Sequence, residues 1–397
     1  MTRAVIAVAR RLSVVAIVTA TLLAAPVSAG ALPSSLEVVP TPFSGQVTLT
    51  STSARSKTDL WAVGYGRPSL AYPTRALALH WNGTSWTNYV MPHPFTASDL
   101  LYAVSMVPGT SEAWAVGYSY DDPPPDTHQA HLEPFVVHWD GTSWHAVTTP
   151  PLPGTGTLQG VSAISRTDVW AVGGYTTASG MTQTVTEHWD GTAWSIVASP
   201  NPSSTFSVLR SVRGLTAANA WAVGSATIIT KKTSTIVPLV EHWHAGAWHA
   251  VKTPALDSDV GEFLSVGSKG ASHIWAVGDL LDSSTHAKRT LIEEFVNGKW
   301  IVVASPNTGT SDNQLWSVAA ASDGTIWAVG QAWMSQSGPL NTLVMRWDGT
   351  SWTVVPSPSP GTTNQLMGAT TVGSTLWTVG GTSDGTTSKA LVERSTP

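Results

Sequence analysis

The string WAVG, or a close variant, occurs seven times, at Trp61, Trp114, Trp170, Trp221, Trp275, Trp327 and Trp377, at intervals of 50 to 56 residues. That spacing is too short for separate domains and too regular for chance. Each copy therefore marks one supersecondary unit that buries its apolar face only against its neighbours.

A second string follows the first six copies: HWNGTSW from His80, HWDGTSW from His138, HWDGTAW from His188, HWHAGAW from His242, FVNGKW from Phe295 and RWDGTSW from Arg346. The Asx-Gly centre suits the positive φ of a tight hairpin turn, and the flanking aromatic and β-branched residues suit strands. Each unit then reads as four strands, in the third repeat 158–164, 168–173, 184–189 and 194–198. The fourth strand runs into Pro92, Pro150, Pro200, Pro254, Pro306 and Pro356, as expected of an edge.

The chain ends predict the architecture. After Trp377 the sequence supplies a third strand, Leu391 to Arg394, and then stops at Pro397 without a fourth. Residues 36–42, LEVVPTP, match the fourth-strand sequence WTVVPSP from Trp352. An N-terminal strand that completes the last unit would close a ring, so the expected fold is all-β, a seven-bladed β-propeller of four-stranded antiparallel blades.

With Val172, Gly173 and Gly174 ending one strand, and Trp189 and Trp194 around the next turn, the third repeat resembles the kelch family. Most other repeats keep only one of the two glycines, and tryptophan stands where that family usually has tyrosine. The resemblance, which also takes in the central domain of galactose oxidase, spans residues 36 to 397 and implies a propeller, a fold that hosts binding proteins, scaffolds and enzymes alike. Galactose oxidase chemistry itself is excluded, since it needs a cysteine cross-linked to tyrosine beside copper and this chain has no cysteine.

Arg3, Arg10 and Arg11, an apolar stretch from Leu12 to Ala25, and the small residues Val27, Ser28 and Ala29 read as a secretory signal peptide over 1–29, leaving 30–397 as one propeller domain. Its removal takes the formal charge from −5 to −8. A mildly acidic product argues against nucleic acid as a partner, and no membrane insertion is expected after cleavage.

Eighteen of the 20 tryptophans hold repeat positions, which assigns them to packing between blades rather than to sugar stacking; Trp316 and Trp333 fall outside the register. His80, His138, His188 and His242 share one repeat position in separate blades, too far apart around a ring to converge on a metal. A hydrogen bond to a neighbouring blade is their expected role. The DGTSW turn lacks the residue that the Asp box of sialidases places between Asp and Gly.

The gap between second and third strands varies in length while the third-to-fourth turn is nearly constant, so variation gathers on one face of the ring. The longest such loop carries Tyr118, Tyr120, Asp121, Asp122, Asp126, His128, His131 and Glu133, in no calcium or zinc spacing. A position at the start of the first strand differs in every repeat: Thr50, Tyr102, Gln159, Arg210, Leu264, Trp316 and Met367. On the innermost strand it would ring the channel mouth, where Trp316 and Tyr102 could stack on a ligand and Arg210 could hold an anion. The alternative is that these are peripheral packing residues.

An enzyme would need two carboxylates at that mouth. Asp257, Asp259, Glu262 and Asp312 read as loop residues forming no pair, and no catalytic residue, metal site or cofactor is assigned. The sequence thus predicts a secreted, monomeric binding or scaffold propeller that recognises a glycan or a protein. The ligand-binding candidates are Tyr102, Gln159, Arg210, Trp316, Trp333, Tyr118, Tyr120, Asp121 and Asp122. A carbohydrate-active hydrolase or lyase, and a purely structural surface protein, remain as alternatives.

Overall fold

A computed structural model describes residues 35–43, 45–67, 72–93, 98–121, 131–231 and 233–396. The expected leader and the acidic loop 122–130 lie outside them. The described residues form 28 strands and no helix.

Unit 3 shows the plan: strand a Gly154–Ser165, strand b Asp168–Thr177, strand c Thr182–Trp189 and strand d Trp194–Val197 pair antiparallel in that order. The four sheets whose first strands are Gln46–Ser56, Ser98–Met106, Ser207–Thr216 and Gly261–Ser268 repeat it. An eight-stranded sheet holds two more such units, begun by Asn313–Ala320 and Thr363–Val372 and joined where Leu340 meets Thr363 in parallel. Its outermost strand is Leu36–Val38, which pairs antiparallel with Ser388–Ser395 through Leu36↔Ser395 and Val38↔Glu393. The N-terminal strand therefore completes the last unit, as its proline-flanked sequence predicts.

Adjacent units meet through aromatic rings. Trp61 of unit 1 lies 4.9 Å from Trp139 and 5.0 Å from Trp144 of unit 2. Trp114 meets Trp189 and Trp194, Trp170 meets Trp243 and Trp248, and Trp221 meets Phe295 and Trp300. Unit 7 returns to unit 1 in the same way, with Trp377 at 5.3 Å from Trp81 and 6.2 Å from Trp86. Each buried indole removes about 200 Å² from water, on the order of 5 kcal/mol by area alone, so the repeat tryptophans are core. The junction of units 6 and 7 is the exception: Leu36 and Leu391 cover Trp327, and Ser395 occupies the place of the strand-c tryptophan.

The histidines correct one expectation. Each faces the residue two before the repeat tryptophan of its own unit, and three of them bond to it: His80 to Asp59 at 2.7 Å, His188 to Asp168 at 2.9 Å and His242 to Asn219 at 3.0 Å, while His138 only approaches Glu112, at 3.4 Å. The cross-strand register dictates this, because strand c pairs the histidine with the tryptophan itself, as in Trp61↔His80. The imidazole then covers the indole, at 3.9 Å between centroids for Trp221 and His242. Arg346 and Arg394 take that place over Trp327 and Trp377.

The hairpin turns correct another. Only Ala245-Gly246 and Asn297-Gly298 have two consecutive positive φ angles. In the other four, Gly83, Gly141, Gly191 and Gly349 alone are left-handed, and the preceding Asx side chain caps the turn. Asp140 Oδ1, for example, accepts from the Thr142 N–H at 2.7 Å and the Ser143 N–H at 2.9 Å.

Strand c also buries acids. Glu187, Glu241, Glu293 and Glu393 are fully buried at one repeat position. Ser199 donates to Glu241 at 2.7 Å and Ser357 to Glu393 at 2.6 Å, whereas both oxygens of Glu187 and of Glu293 lack partners. Burial raises all four, to about 8 for the first three and about 7 for Glu393.

Candidate functional site

Opposite each WAVG string, strand a slips its register by one residue. The slips fall between Leu49 and Ser51, Leu101 and Ala103, Leu158 and Gly160, Leu209 and Ser211, Phe263 and Ser265, Leu315 and Ser317, and Leu366 and Gly368. The unpaired residues are Thr50, Tyr102, Gln159, Arg210, Leu264, Trp316 and Met367, the seven that vary between repeats. They sit at a bulge inside strand a, not at its start. A bulge turns its side chain out of the pleat, and all seven line one cavity of about 590 Å³.

The repeat glycine explains the bulge. A Cβ on Gly117 would meet the Leu100 carbonyl oxygen at 1.9 Å, and on Gly64 the Thr48 oxygen at 2.1 Å, with like contacts at Gly173, Gly224, Gly278, Gly330 and Gly380. Strand a presses its backbone onto strand b there, and only glycine leaves room.

From the bulges two sectors extend beyond the residues that line the cavity. In units 1 and 2, Tyr102 lies 5.5 Å from Tyr118, which stacks on Tyr120 at 6.2 Å. Burial, reinforced by Tyr118, raises the Tyr102 and Tyr65 hydroxyls above their usual range. In units 3 to 6 the sector is charged and starts from the lining residues Gln159 and Arg210. Arg210 donates to Gln159 at 2.8 Å and reaches Glu262 at 4.0 Å. Lys288 Nζ bridges Asp279 at 2.9 Å and Glu262 at 3.8 Å. Gln314 donates to Asp279 at 3.1 Å and Gln331 to Gln314 at 2.8 Å, so the network runs unbroken from Gln159 to Gln331.

Glu262, expected to be an unpaired loop residue, forms a carboxylate pair with Asp279. Glu262 belongs to strand a, not to a loop, and the register sets it directly across from Asp279, the residue after the fifth WAVG string. Burial and then the Asp279 charge raise the Glu262 carboxyl, against the lowering pull of Arg210 and Lys288. In unit 2, buried Asp99 accepts from Ser119 at 2.9 Å and contacts His93 Nδ1 at 3.0 Å and Arg75 at 3.1 Å. The serine bonds the aspartate rather than the imidazole, so this cluster is no Ser-His-Asp relay.

Of the other candidates, Tyr118, in ring contact with Tyr102, and Tyr120, in ring contact with Tyr118, lie on strand b of unit 2, which Asp121 closes. Asp122 lies outside the described residues. Trp333 is not brought to the channel: it lines a separate pocket of about 440 Å³ with His286 and Asp312. No group of three or more metal-ligating side chains occurs among the described residues.

The sequence matches no protein-family profile and no curated protein. The fold is similar to several solved structures. YCF48 bound to D1 peptide aligns at 14% identity and TM-score 0.52, over 91% of this chain and 96% of that one. The WD40 β-propeller domain of Doa1 aligns at 10% identity and TM-score 0.55, over 91% and 97%. A protein of unknown function from Dyadobacter fermentans aligns at 12% identity and TM-score 0.55, over 90% and 97%. At such identities the likeness fixes the fold alone: the chain is a β-propeller repeat protein.

Proposed function

We propose that the mature chain is a secreted, non-enzymatic scaffold, a seven-bladed kelch-like propeller that takes an extended protein segment at its channel mouth. One observation carries this reading. Seven bulges at one strand position turn seven different side chains into one cavity, while the packing positions around them stay alike. Packing alone asks for no such divergence.

The tyrosine sector offers flat apolar faces and hydroxyls, and the charged sector offers paired donors and acceptors, a combination suited to a polypeptide with mixed side chains. The structure of YCF48 with D1 peptide supports a peptide as the ligand class for this fold. A second reading, a carbohydrate-active enzyme, is favoured by Glu262 and Asp279 alone. Lys288 bridges that pair, and its charge opposes the raised carboxyl that a general acid there would need.

The test screens the secreted protein against a peptide library and a glycan array, then repeats both with Tyr102→Ala, Arg210→Ala and Trp316→Ala. Peptides should be enriched, and each substitution should weaken the best of them at least tenfold. Binding to glycans only, or peptide binding indifferent to all three changes, would overturn the proposal.

A further inference from the structure

Below the bulges, toward the hairpins that join strands a and b, the channel is lined by hydrogen-bond donors. Ser51, Ser53, Ser105, Ser162, Ser211, Ser265 and Ser317 all line the cavity. Each accepts a backbone N–H from strand a of the next unit, as Ser51 does from Val104 at 3.2 Å and Ser162 from Gly214 at 3.0 Å. A hydroxyl that accepts still has its proton to give. None of the seven protons has an acceptor among the described hydrogen bonds.

The cavity lining contains Arg55, Arg210 and Arg213 but no aspartate or glutamate. Arg55 is held by Asp59 and the Thr110 carbonyl, and Arg210 by Gln159 and Glu262. Arg213 has one described partner, donating from Nε to Ser268 Oγ at 3.1 Å. That bond fixes the plane of the guanidinium and leaves its terminal N–H groups free. The side chain is reached by water yet walled in by the inner strands, and this desolvation lowers its pKa. A cation so placed gains from any anion that enters, because the walls screen less than bulk water does.

We propose that this lower channel is an oxyanion-binding site centred on Arg213, with serine hydroxyls from neighbouring units as further donors. The ligand group is a carboxylate, sulfate or phosphate, whose paired oxygens fit the guanidinium fork. The formal charge of the mature chain, −8, repels anions in general. Binding must then come from this site and not from the surface. The proposal does not depend on peptide binding at the mouth.

The experiment titrates the secreted protein with sulfate, inorganic phosphate and succinate by calorimetry, against chloride at matched ionic strength. At least one should bind saturably with one site per chain; succinate alone would identify a carboxylate source, and sulfate or phosphate a tetrahedral one. Arg213→Met should weaken that binding at least tenfold, and Ser268→Ala about threefold. Should Arg213→Met fail to fold, Arg213→Lys keeps the charge, loses the fork, and should still weaken binding several-fold. No saturable binding above chloride, or affinity unchanged in the folded Arg213 variant, would overturn the proposal.

Discussion

His273 Nδ1 lies 2.8 Å from the Glu294 carboxylate, in the reverse sense to the pairs that His80, His138, His188 and His242 make across strands b and c. Elsewhere the acid or amide precedes the repeat tryptophan and the imidazole follows on strand c, as with Asp59 and His80. In unit 5 the two residues have changed places and the contact survives. The pair therefore answers to its geometry and not to either residue alone.

Exchanging one member should show this. Glu294→His leaves two imidazoles facing and should cost about 0.5–1 kcal/mol, since the His273 side chain is 43% exposed. The double variant His273→Asp with Glu294→His restores the usual sense and should recover most of the loss. Urea midpoints in a double-mutant cycle would measure it; purely additive losses would contradict the pairing.

Much of this was legible in the sequence. The period set the units, the proline-flanked segment at residue 36 announced its partner, and the variable position proved to be the bulge. The repeat glycine was the available signal for the bulge, but its reason, a carbonyl at about 2 Å, exists only once two strands are aligned. The same holds for Glu262 and Asp279, neighbours by register and 17 residues apart in the chain. The buried glutamates could have been found from recurrence: Glu187, Glu241, Glu293 and Glu393 each immediately precede the strand-c residue that pairs with the repeat tryptophan.

Those glutamates set a pH dependence. Their folded pKa values, about 8 for Glu187, Glu241 and Glu293 and about 7 for Glu393, exceed the unfolded value near 4.5. Between pH 4.5 and 8 the unfolded chain has released protons that the folded chain still holds, so stability falls as pH rises through that window and levels off above it. His242, lowered to about 4 by burial and by His244 and His249, acts oppositely and costs stability as pH drops below 6.5. Calorimetry should place the Tm maximum between these limits. Glu187→Gln with Glu293→Gln should raise Tm at pH 8 and leave it nearly unchanged at pH 4.5; an equal effect at both would refute the assignment.

The closing strand should be the first part to open. Leu36 covers Trp327 where other junctions use two aromatic rings, and the strand is held by three residue pairs, the ion pair of Glu37 with Arg394, and the Val39 N–H to the Val392 carbonyl at 2.8 Å. Leu36→Ala should cost about 2–4 kcal/mol. Hydrogen exchange should show the Val39 amide losing protection before the amides of strand b in any unit.

Two glycines separate lack of space from backbone conformation. A Cβ on Gly368 would lie 2.7 Å from the Ser51 Cα, across the junction where unit 7 meets unit 1, while Gly180 has φ +80 and nothing within 4 Å. Backbone cannot yield to a methyl group without moving a whole strand, so Gly368→Ala should cost about 1–3 kcal/mol or more. Gly180→Asn should cost little, because asparagine tolerates the left-handed region at an exposed turn. Gly160 makes the equivalent approach to Ser211 at 2.9 Å, so Gly160→Ala should match Gly368→Ala in Tm if the inner strands bear equally on one another. A much smaller loss at Gly368 would mean that units 7 and 1 are not pressed together as units 3 and 4 are.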